Sequence, residues 1–143
     1  MISNLPVLLV EDDIVDVKTV ERAFRDAHVT NPLHVVSNGP QALDFLRRQG
    51  DFQTGHERRP GIILLDLNMP GMPGIEVLRE IKSDDNLKSI PVIVLTTSNI
   101  ESDRFACYAG GVAGYFVKPV DYHDFVKIVA TIDQYWKLSE AAQ

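Results

Sequence analysis

At 143 residues with 45% hydrophobic side chains, the chain has the length of one domain that buries a real core. Its formal net charge of −6 argues against nucleic-acid binding, because Arg47-Arg48 and Arg58-Arg59 are isolated pairs rather than a basic stripe. A single cysteine, Cys107, excludes an internal disulfide, and with no leader segment or long apolar span in view the expectation is a soluble, cytoplasmic protein without membrane contact.

The first apolar run, Pro6 to Val10 (PVLLV), ends in Glu11-Asp12-Asp13. Helical spacing follows at Val17, Val20, Phe24 and Ala27, with Asp13 and Asp16 as capping and first-turn acids. Leu33 to Val36 (LHVV) reads as a second strand, and Asn38-Gly39-Pro40 opens a helix carrying Ala42, Phe45 and Leu46. Gly50 to Pro60 (GDFQTGHERRP) is one long polar connection. Ile62 to Leu65 (IILL) ends in Asp66 and precedes a helical period at Ile75, Leu78 and Ile81. Val92 to Leu95 (VIVL) ends in Thr96-Thr97, with helical spacing around Phe105 and Tyr108. Tyr115 to Val117 (YFV) ends in Lys118-Pro119, and Asp121 with Asp124 starts a last helix through Phe125, Ile128, Val129, Ile132 and Tyr135.

The strand runs are short and do not alternate, as strands covered on both faces read. Strand and helix alternate five times, which calls for right-handed βαβ crossovers and a three-layer, doubly wound α/β sandwich of one domain, residues 1–143. No repeat or low-complexity tract interrupts it.

Ligands of an open parallel sheet bind beyond the carboxyl ends of its strands. With the strand order 2-1-3-4-5, strands one and three are central neighbours, and Glu11, Asp12 and Asp66 converge. Carboxylates about 4 Å apart repel by roughly 4 kcal/mol at an effective dielectric near 20, so something must offset that cost. A hard cation does so, and Mg²⁺ suits oxygen donors that leave room for water and a phosphate. Glu11 and Asp12 would hold it, with the Asn68 backbone carbonyl completing the shell. Asp66 is then either a ligand only or a nucleophile toward a phosphoryl group, with Lys118 and Thr96 neutralising the phosphoryl oxygens. Each feature has a plainer explanation: acids favour a helix N-terminus without any metal, and Asp66 could simply start the turn before Pro70-Gly71. Their joint placement at the strand ends favours a phosphoacceptor site.

The segments VLLVEDD (7 to 13), IILLDLNMPGMPGIEVL (62 to 78), PVIVLTT (91 to 97) and GYFVKPV (114 to 120), in this order, resemble the receiver domain of two-component response regulators, the CheY-like, flavodoxin-like (βα)5 fold. The resemblance implies that a sensor histidine kinase phosphorylates Asp66, that Glu11, Asp12, Asp66 and the Asn68 carbonyl serve Mg²⁺, and that Lys118 and Thr96 bind the phosphoryl group. It also implies a cis Lys118-Pro119 bond, movement of Thr96 toward the phosphoryl group, an inward turn of Tyr115, and tuning of phosphoryl lifetime at Asn68 and Ser98. Val120 departs from the pattern, since Phe often follows the Lys-Pro. NPLHVVSNGPQALDFL (31 to 46), the long loop and CYAGGVAGYFVKPVDYHDFV (107 to 126) are similar to small stand-alone regulators paired with bacterial and cyanobacterial phytochrome kinases.

Only Lys137 to Gln143 follow the last helical period, so action through another molecule is expected rather than an output domain. Tyr135 and Trp136 either cover the core or, with Phe105, Tyr108 and Tyr122, form a homodimer seam on the face of helix 4, strand 5 and helix 5. His28, His34, His56 and His123 lack metal-ligand spacing, Cys107 reads as a packed thiol, and Glu11-Asp12-Asp13 stands where dinucleotide-binding glycines would have to be. Two other functions compete with the switch. A Mg²⁺-dependent aspartyl-phosphate phosphohydrolase would need a second carboxylate where Asn68 stands, and a phosphorylation-independent receiver-like adaptor would not need the full set of Glu11, Asp12, Asp66, Thr96 and Lys118.

Overall fold

A computed structural model describes residues 4–53 and 58–141. Five strands, β1 (Val7–Val10), β2 (Leu33–Val36), β3 (Ile62–Leu65), β4 (Val92–Thr96) and β5 (Gly114–Val117), form one parallel sheet in the order β2-β1-β3-β4-β5. Five helices connect and follow them: α1 (Ile14–Asp26), α2 (Gly39–Arg47), α3 (Gly74–Ser83), α4 (Glu101–Ala109) and α5 (Tyr122–Ala141). The expected three-layer α/β sandwich and its strand order are those observed.

Strand side chains alternate between the two faces, and each face has its own core. Leu8, Val10, Ile63, Leu65, Val92 and Val94 pack with Leu43, Leu46, Val77, Leu78, Ile81 and Cys107 beneath α2, α3 and α4. Val7, Leu9, Ile62, Leu64, Ile93 and Leu95 pack with Val20, Phe24, Phe125, Val129 and Trp136 beneath α1 and α5. β1, β3 and β4 are wholly buried, whereas the edge strands β2 and β5 are mostly half-buried, having one neighbour each.

Capping chemistry sets the helix starts. Asp13 accepts from the backbone N–H groups of Val15 and Asp16 at α1, and Asn38 accepts from Gln41 N–H at α2. Asp121 accepts from His123 N–H at 2.7 Å where α5 begins. Part of the polar connection forms a 3-10 turn, Gly50–Phe52, while its residues 54–57, His56 among them, lie outside the described residues.

Two expectations are corrected. The Lys118–Pro119 bond is trans, the isomer an X–Pro bond intrinsically prefers by about 0.5–1 kcal/mol. In α4 Cys107 is the one buried residue, a packed thiol as its helical neighbours suggest, while Phe105 and Tyr108 face solvent, as a seam would require. The aromatic set proposed for one seam also divides. Trp136 is 3% exposed in the core beneath α1 and α5, whereas Tyr135 is 48% exposed. Tyr122 turns to α1, where its hydroxyl donates to Asp26 Oδ2 at 2.7 Å and the Arg22 guanidinium covers its ring at 4.1 Å.

Candidate functional site

Register decides which side chains meet. Val10 pairs with Leu65, so Glu11 and Asp66 are the next residues out of neighbouring strands. The Asp66 N–H donates to the Val10 carbonyl at 3.1 Å, and the Glu11 N–H to the Val36 carbonyl at 3.0 Å. Thr96 pairs with Val117, and the Lys118 N–H donates to the Thr96 carbonyl at 2.7 Å. Four strands thereby deliver polar side chains to one edge of the sheet.

Single carboxylate oxygens of Glu11, Asp12 and Asp66 all lie within 4.8 Å of one another. Glu11 is 2% exposed and Asp66 5%, while Asp12 is open to solvent. Hard oxygen donors, two shielded and one reachable from water, fit a divalent cation of the Mg²⁺ or Mn²⁺ class. The side chain of Lys118, nearly enclosed, crosses the same pocket. Its ammonium bonds Glu11 Oε1 and, at 2.9 Å, Asp16 Oδ2, and it stands 3.8 Å from Asp66 Oδ2.

Burial pushes the Glu11 carboxyl up to about 7, with the Asp66 charge adding to the rise and the Lys118 ammonium opposing it. Burial alone would lower the Lys118 ammonium, but its bonds to Glu11 and Asp16 and the charge of Asp66 outweigh that and hold it above its ordinary value. Because a metal ligand must be deprotonated, a cation at Glu11 would compete with the proton that burial favours.

Thr96 is buried, and its hydroxyl oxygen accepts from the Ser98 N–H at 3.2 Å and from the Asn68 amide at 3.3 Å. The same amide donates to the Thr97 hydroxyl at 3.0 Å, and the Asn68 N–H donates to Asp66 Oδ1 at 3.3 Å. Asn68 thus links the aspartate to the end of β4. Farther out, Tyr115 is half-buried and its hydroxyl donates to the Ser98 carbonyl at 3.0 Å. The Ser98 hydroxyl donates to Asp103 Oδ2 at 2.6 Å in the first turn of α4. A continuous set of hydrogen bonds runs from Asp66 through Asn68, Thr96 and Ser98 to α4 and β5.

Residues 7–130 match the family model of the response regulator receiver domain. The chain belongs to that family. Response regulator Rcp1 of Synechocystis sp. is 40% identical over 136 residues, covering 94% of this chain and 91% of Rcp1. The crystal structure of the phosphorylated cyanobacterial phytochrome response regulator RcpA superposes with a TM-score of 0.85 at 38% identity, over 93% of this chain and 94% of RcpA. The Mn²⁺-bound form of Rcp1 gives 0.83 at 39% identity, over 92% and 94% of the two chains. The protein is a receiver-domain response regulator of two-component systems, a signalling protein similar to phytochrome-associated regulators.

Within this receiver, the structure brings together Glu11, Asp12, Asp66, Asn68, Thr96 and Lys118, with Ser98 and Tyr115 one bond farther out. Val120, two residues after Lys118 in the chain, is fully exposed. Sequence reading missed Asp16 as a partner of Lys118, because an acid three positions after an N-cap already has a role in helix capping. It also missed Asp103 as the acceptor for Ser98; the only signal was an acid in the first turn of α4. None of the described residues forms a helix long and apolar enough to cross a membrane.

Proposed function

We propose that Asp66 is the phosphoacceptor of this response regulator. One Asp66 carboxylate oxygen attacks the phosphorus of a phosphohistidine on a sensor histidine kinase. The new O–P bond replaces the P–N bond, and the imidazole leaves with that electron pair. Glu11, Asp12, Asp66 and the Asn68 carbonyl hold Mg²⁺, which supplies charge neutralisation to the phosphoryl oxygens when bound. Lys118 and Thr96 bind the remaining oxygens, the Thr96 hydroxyl by donating its proton while its oxygen accepts from Ser98 and Asn68. The observation that carries this reading is the meeting of three carboxylates within 4.8 Å with the Lys118 ammonium across the same pocket.

Thr96 and Tyr115 are the switch, coupled through Ser98, and Asn68 and Ser98 tune phosphoryl lifetime. Output is a change in the face formed by α4, β5 and α5, where Phe105, Tyr108 and Tyr135 are exposed. That face pairs two copies of the chain, since a cluster of exposed aromatics marks a contact surface. The kinase is of the phytochrome type, on the strength of the similarity to Rcp1 and RcpA. Residues 1–143 act as one receiver domain in the cytoplasm, through partners rather than as an enzyme, with catalysis confined to turnover of its own phosphoryl group. Asn68 stands where a phosphohydrolase would need its second carboxylate, which favours the switch.

Intact mass after incubation with acetyl phosphate, with and without Mg²⁺, tests the chemistry. One phosphoryl adduct that needs both Mg²⁺ and Asp66 is expected; stoichiometric labelling of Asp66→Asn would refute the assignment. Sedimentation with and without beryllofluoride tests the pairing, and a monomer under both conditions at micromolar concentration would end it.

A further inference from the structure

The Lys118 ammonium is held by an acid that no phosphoacceptor chemistry requires. Asp16 is the third residue of α1, and a first-turn acid in that position commonly reaches back to the backbone N–H of the capping residue. Here the Asp13 N–H is already taken by Glu11 Oε2 at 3.2 Å, and the Asp16 carboxylate turns to Lys118 instead, at 2.9 Å. An ammonium has three protons to donate. Two of its directions go to Glu11 and Asp16, and Asp66 Oδ2 at 3.8 Å is beyond hydrogen-bond reach.

We propose that Asp16 is a positioning residue that holds the Lys118 ammonium off Asp66 in the resting state, so that occupying the phosphoacceptor must draw Lys118 away from it. The proposal rests on the phosphoacceptor reading of Asp66. A phosphoryl group on Asp66 carries up to about two charges and three acceptor oxygens. The flexible lysine stem can carry the ammonium to it by rotamer change alone. When Glu11 engages a cation it gives up its share of Lys118, and Asp16 is then the remaining competitor. A ligand shifts an equilibrium only by its different interaction with the two states. Asp16 adds attraction to the resting state alone, so it sets a threshold for switching. Its carboxylate is partly exposed and lies on α1 rather than among the buried acids, so its charge can be removed without opening the core.

Calorimetric titration of the full chain with beryllofluoride at saturating Mg²⁺ is the test. Asp16→Asn should bind the phosphoryl mimic about tenfold more tightly than wild type, roughly 1.4 kcal/mol. Asp16→Glu, which keeps the charge, should stay within about twofold of wild type. In a Lys118→Met background the Asp16→Asn change should shift affinity less than about twofold, because the competition it relieves has gone. Equal or weaker binding by Asp16→Asn overturns the proposal. So does a full gain in the Lys118→Met background, which would mean that Asp16 merely repels the anion. A wild-type protein that takes up neither beryllofluoride nor a phosphoryl group overturns instead the phosphoacceptor reading on which this one stands.

Discussion

A Cβ placed on Gly74 would stand 2.4 Å from the carbonyl oxygen of Asp66 and 2.7 Å from Cα of Leu67. The first residue of α3 therefore packs directly on the backbone that carries the central carboxylate, and the Gly74 N–H donates to the Leu67 carbonyl at 3.2 Å. Gly74→Ala gains about 1 kcal/mol of helix propensity, but the atoms it meets are backbone and cannot step aside by rotamer change. Overpacking wins. We expect a net loss of about 1–3 kcal/mol in urea unfolding, with phosphoryl uptake from acetyl phosphate reduced because Asp66 is displaced. An Ala variant of wild-type stability and uptake would show that the loop after β3 yields freely.

Three carboxylates in one pocket should make folding depend on a divalent cation. Metal that binds only the folded state adds about 2.7 kcal/mol at a free concentration one hundred times its dissociation constant. Thermal melts in Mg²⁺ against chelator should show this rise saturating with concentration. Asp12→Asn and Asp66→Asn should each lose most of it. An equal rise in both variants would place the bound ion elsewhere.

Cys107 tests burial through pH. Burial and the nearby charge of Asp103 push its thiol up to about 11, against an ordinary value of 9.0. Between these values the folded chain keeps a proton that the unfolded chain releases, so stability falls as pH rises from 9 to 11 and is insensitive to this group below 9. At pH 8 the native protein should resist a thiol-exchange reagent that labels the unfolded chain within minutes. Rapid native labelling would mean that α4 opens.

The Tyr115 hydroxyl and the Ser98 carbonyl are one bond in the path from Asp66 to α4. Tyr115→Phe removes the donor and should cost about 0.5–1.5 kcal/mol. Amide exchange at Ser98 to Ile100 should speed up while that of β1 and β3 stays unchanged. Exchange that is unaltered in that loop would show that Tyr115 does not restrain it.

Neighbouring aromatics on α5 should behave oppositely. Trp136→Ala empties a core position and should cost about 3–5 kcal/mol. Tyr135→Ala removes a half-exposed ring and should stay within about 0.5 kcal/mol in the monomer. Dilution-dependent destabilisation of the Tyr135 variant alone would locate the ring in a contact between copies.

The sequence by itself determined the alternation of five strands and five helices, because apolar runs without alternation, helical spacing and caps such as Asp13 and Asn38 are local signals. It also marked Glu11, Asp66 and Lys118, each directly after a strand, and Thr96, the polar residue that ends β4. The packed thiol of Cys107 was legible from its helical neighbours, but the direction in which Phe105 and Tyr108 face was not, because spacing alone does not fix how a short helix is rotated about its axis. Nor could it separate Trp136 from Tyr135, adjacent residues that helical geometry turns about 100° apart. Only the tertiary structure decided where the Lys118 ammonium rests. Its stem spans several ångströms, and the choice among Glu11, Asp16 and Asp66 depends on charges brought together from three different chain segments. That choice is a balance of electrostatic attraction and burial over distances the sequence does not encode.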